Sequence, residues 1–167
     1  MVHLVLSSRF EFLAKWGPAG SDDGQIGYQS HIAADKSGNV YVADVYRIQK
    51  FSSSGELLGK WSTTGYIFGI ATDMSGNVYV NQYFHNPVIP LSDSQDHIEK
   101  FAPSGESLGE WSPLRSSGGS LDAPWQPQVT KALALDRLGN IYVLIEHDSQ
   151  HGPLATHLRI QKFAQGD

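Results

Sequence analysis

Five of the seven histidines in this 167-residue chain fall in or beside two polar stretches, where carboxylates accompany them. The first stretch, Asn81 to Asp96, holds His85, Asp93 and Asp96, and His97 follows at once. The second, Glu146 to His157, holds Glu146, His147, Asp148, His151 and His157. Imidazole nitrogen and carboxylate oxygen are the donors from which zinc or calcium sites are built. A divalent metal is therefore the cofactor these side chains could hold. His147 and His151 are the candidate ligands from the second stretch, and His31 is a third from further up the chain. No spacing among them matches a ligand motif, and polar surface loops carry histidine without binding anything. Trp125 stands between two prolines and could serve as a binding aromatic or as a plug. The chain has no cysteine, which removes disulfides and thiolate chemistry.

What must position these residues is an internal repeat. Ile32-Ala-Ala-Asp-Lys-Ser-Gly-Asn-Val-Tyr-Val42 recurs at Ile70 to Val80 and at Leu133 to Val143. A second phrase follows each copy: Arg47-Ile-Gln-Lys-Phe51, His97-Ile-Glu-Lys-Phe101 and Arg159-Ile-Gln-Lys-Phe163. His97 thus occupies the slot of Arg47 and Arg159. A third phrase, Glu56-Leu-Leu-Gly-Lys-Trp61, is matched by Glu106 to Trp111 and, ahead of the first full unit, by Glu11-Phe-Leu-Ala-Lys-Trp16. Repetition at this period signals an array of equivalent units. Between the first two strand-like pieces sits Asp-x-x-Gly-Asn, in which Asp can accept turn N–H groups and Gly supplies a positive φ. The Val- and Tyr-rich piece reads as a half-buried strand. The Arg-Ile-Gln-Lys-Phe piece alternates, as a strand with one wetter face does. Four antiparallel strands per unit is the pattern of a propeller blade. The tryptophans at one repeat position are expected to pack between units, and Lys50, Lys100 and Lys162 to form a solvated edge.

These phrases resemble the NHL-repeat family, whose unit reads roughly Gly-Ile-Ala-x-Asp-x-x-Gly-Asn-Val-Tyr-Val-Ala-Asp, then Arg-Ile-Gln-Lys-Phe and a Trp-ended strand. The lead-in Trp16 to Ile26 is similar to that family's inter-blade loop. The resemblance implies an all-β, six-bladed β-propeller, with blades at approximately 30–61, 69–111 and 132–167 in one domain spanning 1–167. Gln82 and Ile145 replace the Asp44-type residue, and His31 stands where Gly is usual, as at Gly69.

Three blades cannot close a ring of four to eight, and open sheet edges invite association. Joining Lys162 to Asp167 onto Glu11 to Trp16 reproduces the length of Lys50 to Trp61 with no gap. The outer strand of the last blade is therefore expected at 9–16, supplied by a partner chain in a homodimer that makes one six-bladed ring. The rival expectation is a fragment of a longer protein, since His3 to Leu6 aligns loosely with Ile48 to Phe51.

Both long loops and the segment Ser112 to Lys131 should emerge on one face, the expected site of ligand contact. On that face the candidate residues are His31, Tyr83, His85, Trp125, Glu146 and His147. A module that binds a protein or small molecule there needs nothing further. The alternative is a metal-dependent lyase or lactone hydrolase acting in the central channel, as similar propellers imply. That reading needs ligands at the inner-strand starts, where His31, Gly69 and Ala132 stand, and only the first can ligate. A net charge of −5 with 12 basic residues gives no footprint for nucleic acid. No apolar run reaches bilayer length, and the N-terminus is a poor signal peptide, so a cytoplasmic location is the default expectation.

Overall fold

The computed structural model describes residues 11–84, 95–112, 128–148 and 156–164. Among them are eleven strands and no helix, hence none long and apolar enough to cross a membrane. β1 (His31–Ala34), β2 (Val40–Asp44), β3 (Arg47–Phe51) and β4 (Leu57–Ser62) form an antiparallel sheet in chain order. β5 (Tyr66–Thr72), β6 (Val78–Phe84), β7 (Gln95–Phe101) and β8 (Ser107–Trp111) form the second. β9 (Gln128–Leu135), β10 (Ile141–Asp148) and β11 (Thr156–Phe163) form a third of three strands. The first strands adjoin one another, β1 against β5 and β5 against β9, so the sheets stand in a row.

The β1–β2 turn explains why Asp, Gly, Asn and Tyr recur at one spacing. Asp35 Oδ1 accepts the N–H groups of Ser37 (2.8 Å) and Asn39 (3.0 Å), while Oδ2 accepts the Asn39 amide (2.8 Å) and the Tyr41 hydroxyl (3.1 Å). Asp73 and Asp136 repeat the arrangement with Ser75, Asn77 and Tyr79, and with Leu138, Asn140 and Tyr142. Gly38, Gly76 and Gly139 hold φ values of 82°, 82° and 81°, which any side chain would resist. The tyrosine so fixed receives the repeat lysine over its ring. Lys50, Lys100 and Lys162 lie 5.5, 5.1 and 5.2 Å from the ring centroids of Tyr41, Tyr79 and Tyr142. The expected solvated edge is therefore a row of cation–π contacts, with Lys50 and Lys100 half-buried.

The strands are also more deeply covered than the alternation implies. Tyr41, Val42, Ala43 and Asp44 are buried in succession, and Gln49 of the supposed wetter face is fully buried. In the first sheet Ile48 meets the next sheet, while a loop covers Gln49. Between the first two sheets Tyr41, Ala43 and Ile48 pack against Ile67, Ile70, Val80 and Phe101. Between the second and third, Tyr79 and Ile98 pack against Leu133, Ile141, Val143 and Ile145. Trp61 sits edge-on to Tyr41 at 6.3 Å and tilted to Phe101 of the next sheet at 5.9 Å. It lies over Gly105, where a Cβ would come within 2.8 Å of the indole. Trp16 lies over Gly55 in the same way, at 2.6 Å.

The two outward faces of the row lack such cover. Ile48 and Ile98 are 0% exposed, but Ile160 at the same repeat position is 71% exposed. On the opposite face of the unit, Ile70 and Leu133 are 7% and 9% exposed while Ile32 is 71% exposed.

Candidate binding face

The β2–β3 connections and the sheet-to-sheet connections emerge at one end of the row, away from the Asp-x-x-Gly-Asn turns. In the first sheet this end is fully committed to holding its own loop. Asp44 accepts Gly27 N–H at 2.9 Å and the Arg47 guanidinium at 2.7 and 3.0 Å. Arg47 donates in turn to the carbonyls of Ser21 (2.6 Å), Asp22 (3.2 Å) and Gln25 (3.1 Å). Gln49 accepts Gly24 N–H at 2.8 Å and donates to Gln25 O at 2.7 Å. Asp22 supplies a backbone carbonyl, and Asp23 binds Lys60 at 2.5 Å. These groups are spent on architecture and have little left for a ligand.

The second sheet keeps the positions but changes the chemistry. Gln82, in the place of Asp44, accepts Gly65 N–H at 3.0 Å and donates to Glu99 at 2.6 Å. His97 stands in the place of Arg47. Its Nε2 makes no hydrogen bond and lies 3.6 Å from the Glu110 carboxylate. In the third sheet Ile145 fills the Asp44 position and is buried, and Gln161 Oε1 is buried with no partner.

A polar cluster joins the second and third sheets. Tyr83 faces Asp96 across the β6–β7 pair, and Asn81 faces Ile98, so Asn81, Tyr83 and Asp96 share a face. Asn81 donates to Thr130 O at 3.1 Å, and Thr130 N–H donates to Asp96 Oδ2, so the two side chains clasp one residue's backbone from both sides. All three residues are at most 1% exposed, yet Asn81 Oδ1 and Asp96 Oδ1 have no hydrogen-bond partner. Burial pushes the Asp96 carboxyl above its ordinary range, against the opposing pull of Thr130, His97 and Lys131. Asn81 and Thr130 escaped the sequence reading. The signal for Asn81 was available: it interrupts a repeat position that is apolar at Ala43 and Leu144.

Nearer the first strands the rim is lined by bulged residues. The β5–β6 register slips at Phe68 and the β10–β9 register slips at Lys131, which leaves each without an opposed residue. Tyr83 sits edge-on to Phe68 at 6.2 Å, and Glu146 pairs with Lys131. His31 opens β1, half-buried against the second sheet. Burial lowers its pKa, partly countered by a hydrogen bond to the backbone of Ile67. His31, Tyr83 and Glu146 thus each have a neighbour of their own. His147 stands opposite His157 and Gln128 in the register, described through its backbone alone. His85, Trp125 and His151 lie outside the described residues. Among the described residues no three His, Cys, Asp or Glu side chains come together as metal ligands.

No protein-family model matches the chain, and no curated protein does either. Among solved structures it is similar to a protein of unknown function from Bacteroides caccae, with 14% identity and a TM-score of 0.46. The match covers 83% of this chain and 47% of that one, so the chain spans about half the length of that structure.

Proposed function

We propose that the three sheets are consecutive blades of an NHL-type β-propeller, and that two copies close one six-bladed ring. The ring serves as a binding module, holding a protein or small-molecule ligand at its loop-bearing end. The observation that carries the reading is the contrast in burial between equivalent isoleucines. Wherever two sheets adjoin, this repeat position is buried; only the two outward faces leave it open, at Ile160 and Ile32. The face with Ile160 matches the one that Ile48 offers to the second sheet, and the face with Ile32 matches the one that Ile70 offers to the first. Each outward face is therefore complementary to the other, and a two-fold axis satisfies both at once.

The binding role is supported by where the units differ. At the turn end the three copies are alike to the hydrogen bond. At the loop end Asp44, Gln82 and Ile145 share a position, as do Ala43, Asn81 and Leu144. Turn geometry holds the first set to one sequence, whereas the second varies beneath the connections of the loop-bearing end, which makes that end the place where the units specialise. Sedimentation equilibrium tests the assembly: the expected mass is twice the 18.3 kDa of one chain, and a single-chain mass at micromolar concentration refutes it. Metal analysis tests the role. A binder without bound metal is expected, and stoichiometric zinc or calcium would favour the lyase or lactone hydrolase instead.

A further inference from the structure

We infer that Asn81 Oδ1, Asp96 Oδ1 and Thr130 Oγ1 together hold a monovalent alkali cation, buried in the seam between the second and third sheets. The site is independent of ring closure and of the ligand-binding role, because its three residues belong to one chain and are all buried.

The repeat supplies an internal comparison. Asn81, Asp96 and Thr130 stand at the positions of Ala43, Tyr46 and Ile67. In the first seam Ala43 and Ile67 are buried in one apolar cluster, and Tyr46 leans on Tyr66 of the second sheet at 4.5 Å. The Ile67 N–H donates to the Val45 carbonyl at 3.2 Å. The fold therefore closes a seam at this level with hydrocarbon and a neutral backbone acceptor. In the second seam three oxygen-bearing side chains replace that arrangement at once, and the Thr130 N–H goes to a carboxylate.

Each of the three keeps an oxygen with nothing to bond. Asn81 is fixed through its amide nitrogen to Thr130 O at 3.1 Å, and Asp96 through Oδ2 to Thr130 N–H. Asn81 Oδ1 and Asp96 Oδ1 are thereby held beside the same residue. Both of them, and Thr130 Oγ1, are buried without a hydrogen bond. The Thr130 side chain also stands near enough to Asp96 to favour its ionised form, which brings hydroxyl and carboxylate together. Unsatisfied buried oxygens are costly, and an ion is one of the few things that accounts for them.

Charge decides what binds. Carboxylate, amide and hydroxyl oxygens suit hard cations. Water would satisfy the lone pairs but leave a buried carboxylate without a counter-charge. The neighbouring groups able to carry positive charge are turned to other acids: Lys131 pairs with Glu146, and His97 Nε2 lies 3.6 Å from Glu110. A divalent ion would overcompensate the single carboxylate. One positive charge balances it.

Thermal unfolding of the full chain at pH 7 tests the site, with sodium or potassium chloride replacing choline chloride at fixed ionic strength. Choline has the charge but not the size, and screening stays constant. The midpoint should rise by about 5 °C along a saturating curve as the alkali ion replaces choline. Thr130→Val keeps the shape and removes an oxygen that bonds nothing in the protein. It should hold the midpoint in choline and abolish the rise, whereas Thr130→Ser should retain it. The sodium NMR line, broadened by the natural chain, should stay narrow with Thr130→Val. Asp96→Asn relieves the carboxylate charge by another route, so its advantage should be full in choline and shrink as sodium rises. Equal midpoints in all three salts overturn the inference, as does a rise that survives Thr130→Val or one that only calcium produces. Should Thr130→Val fail to fold, Asn81→Leu, which copies the repeat position at Leu144, must abolish the rise in its stead. A single-chain mass in sedimentation removes the ring and leaves this site standing.

Discussion

Asp35, Asp73 and Asp136 each collect four hydrogen bonds within six residues of their own position. Burial alone would raise the first two carboxyls, but the Asn amides, the turn N–H groups and the tyrosine hydroxyls outweigh it. At Asp136 the Asn140 amide is the largest influence, and all three sit below the ordinary aspartate range. On acidification the unfolded chain takes up these protons first. Their contribution is therefore complete above the ordinary value of about 3.9 and is lost as pH falls through the folded pKa. Asp73→Ala should cost about 2 kcal/mol at neutral pH and flatten the decline in denaturation midpoint between about pH 5 and pH 3. Asp96 runs the other way. Its raised pKa means the native state holds the proton longer, so its ionisation erodes stability as pH rises from the unfolded value. Asp96→Asn keeps an acceptor for Thr130 and removes the charge, and should stabilise by about 1 kcal/mol at pH 7. That gain should vanish at low pH, as urea titrations at two pH values would reveal. The turn aspartates were legible because every partner lies within a few residues. From sequence Asp96 is one loop acid among several, because its partner Thr130 is 34 residues away across a seam.

At the scale of elements, tryptophan marks each seam. Trp61 touches its own sheet through Tyr41 and the next through Phe101 and Gly105, so removing it opens a void shared by two sheets. Trp61→Ala should cost about 3–5 kcal/mol in chemical denaturation. Strand order was readable because each phrase ends in its own turn signal. The covering of the polar faces was not. Alternation in Arg47-Ile-Gln-Lys-Phe implies water on one side, but a loop seals that side in the first sheet and binds both ends of Gln49. A single strand cannot announce which distant segment will cover it. The repeat lysines mislead for the same reason, since their aromatic partners sit on the neighbouring strand.

For the molecule as a whole, the decisive quantity is apolar surface left open at both ends of the row. Ile160→Asp places a charge where the proposed partner face must pack, and Ile32→Lys does so from the other side. Each should halve the mass seen in sedimentation while circular dichroism keeps its strand signature. Unchanged mass in both would count against the ring. The repeat count and the handing-on from sheet to sheet could be read from the phrases Ile32, Ile70 and Leu133 introduce. The meeting of Asn81, Asp96 and Thr130 could not, because it depends on how far one sheet is turned against the next.

The turn end has a practical use. Ser37 and Ser75 are exposed there and Leu138 is 85% exposed, each in a short, rigid bend remote from the variable loops. A lone thiol introduced at one of them would offer a handle for dyes or solid supports. Screening arrays built that way would present every copy with the same side up, its loop-bearing end toward the bulk solution.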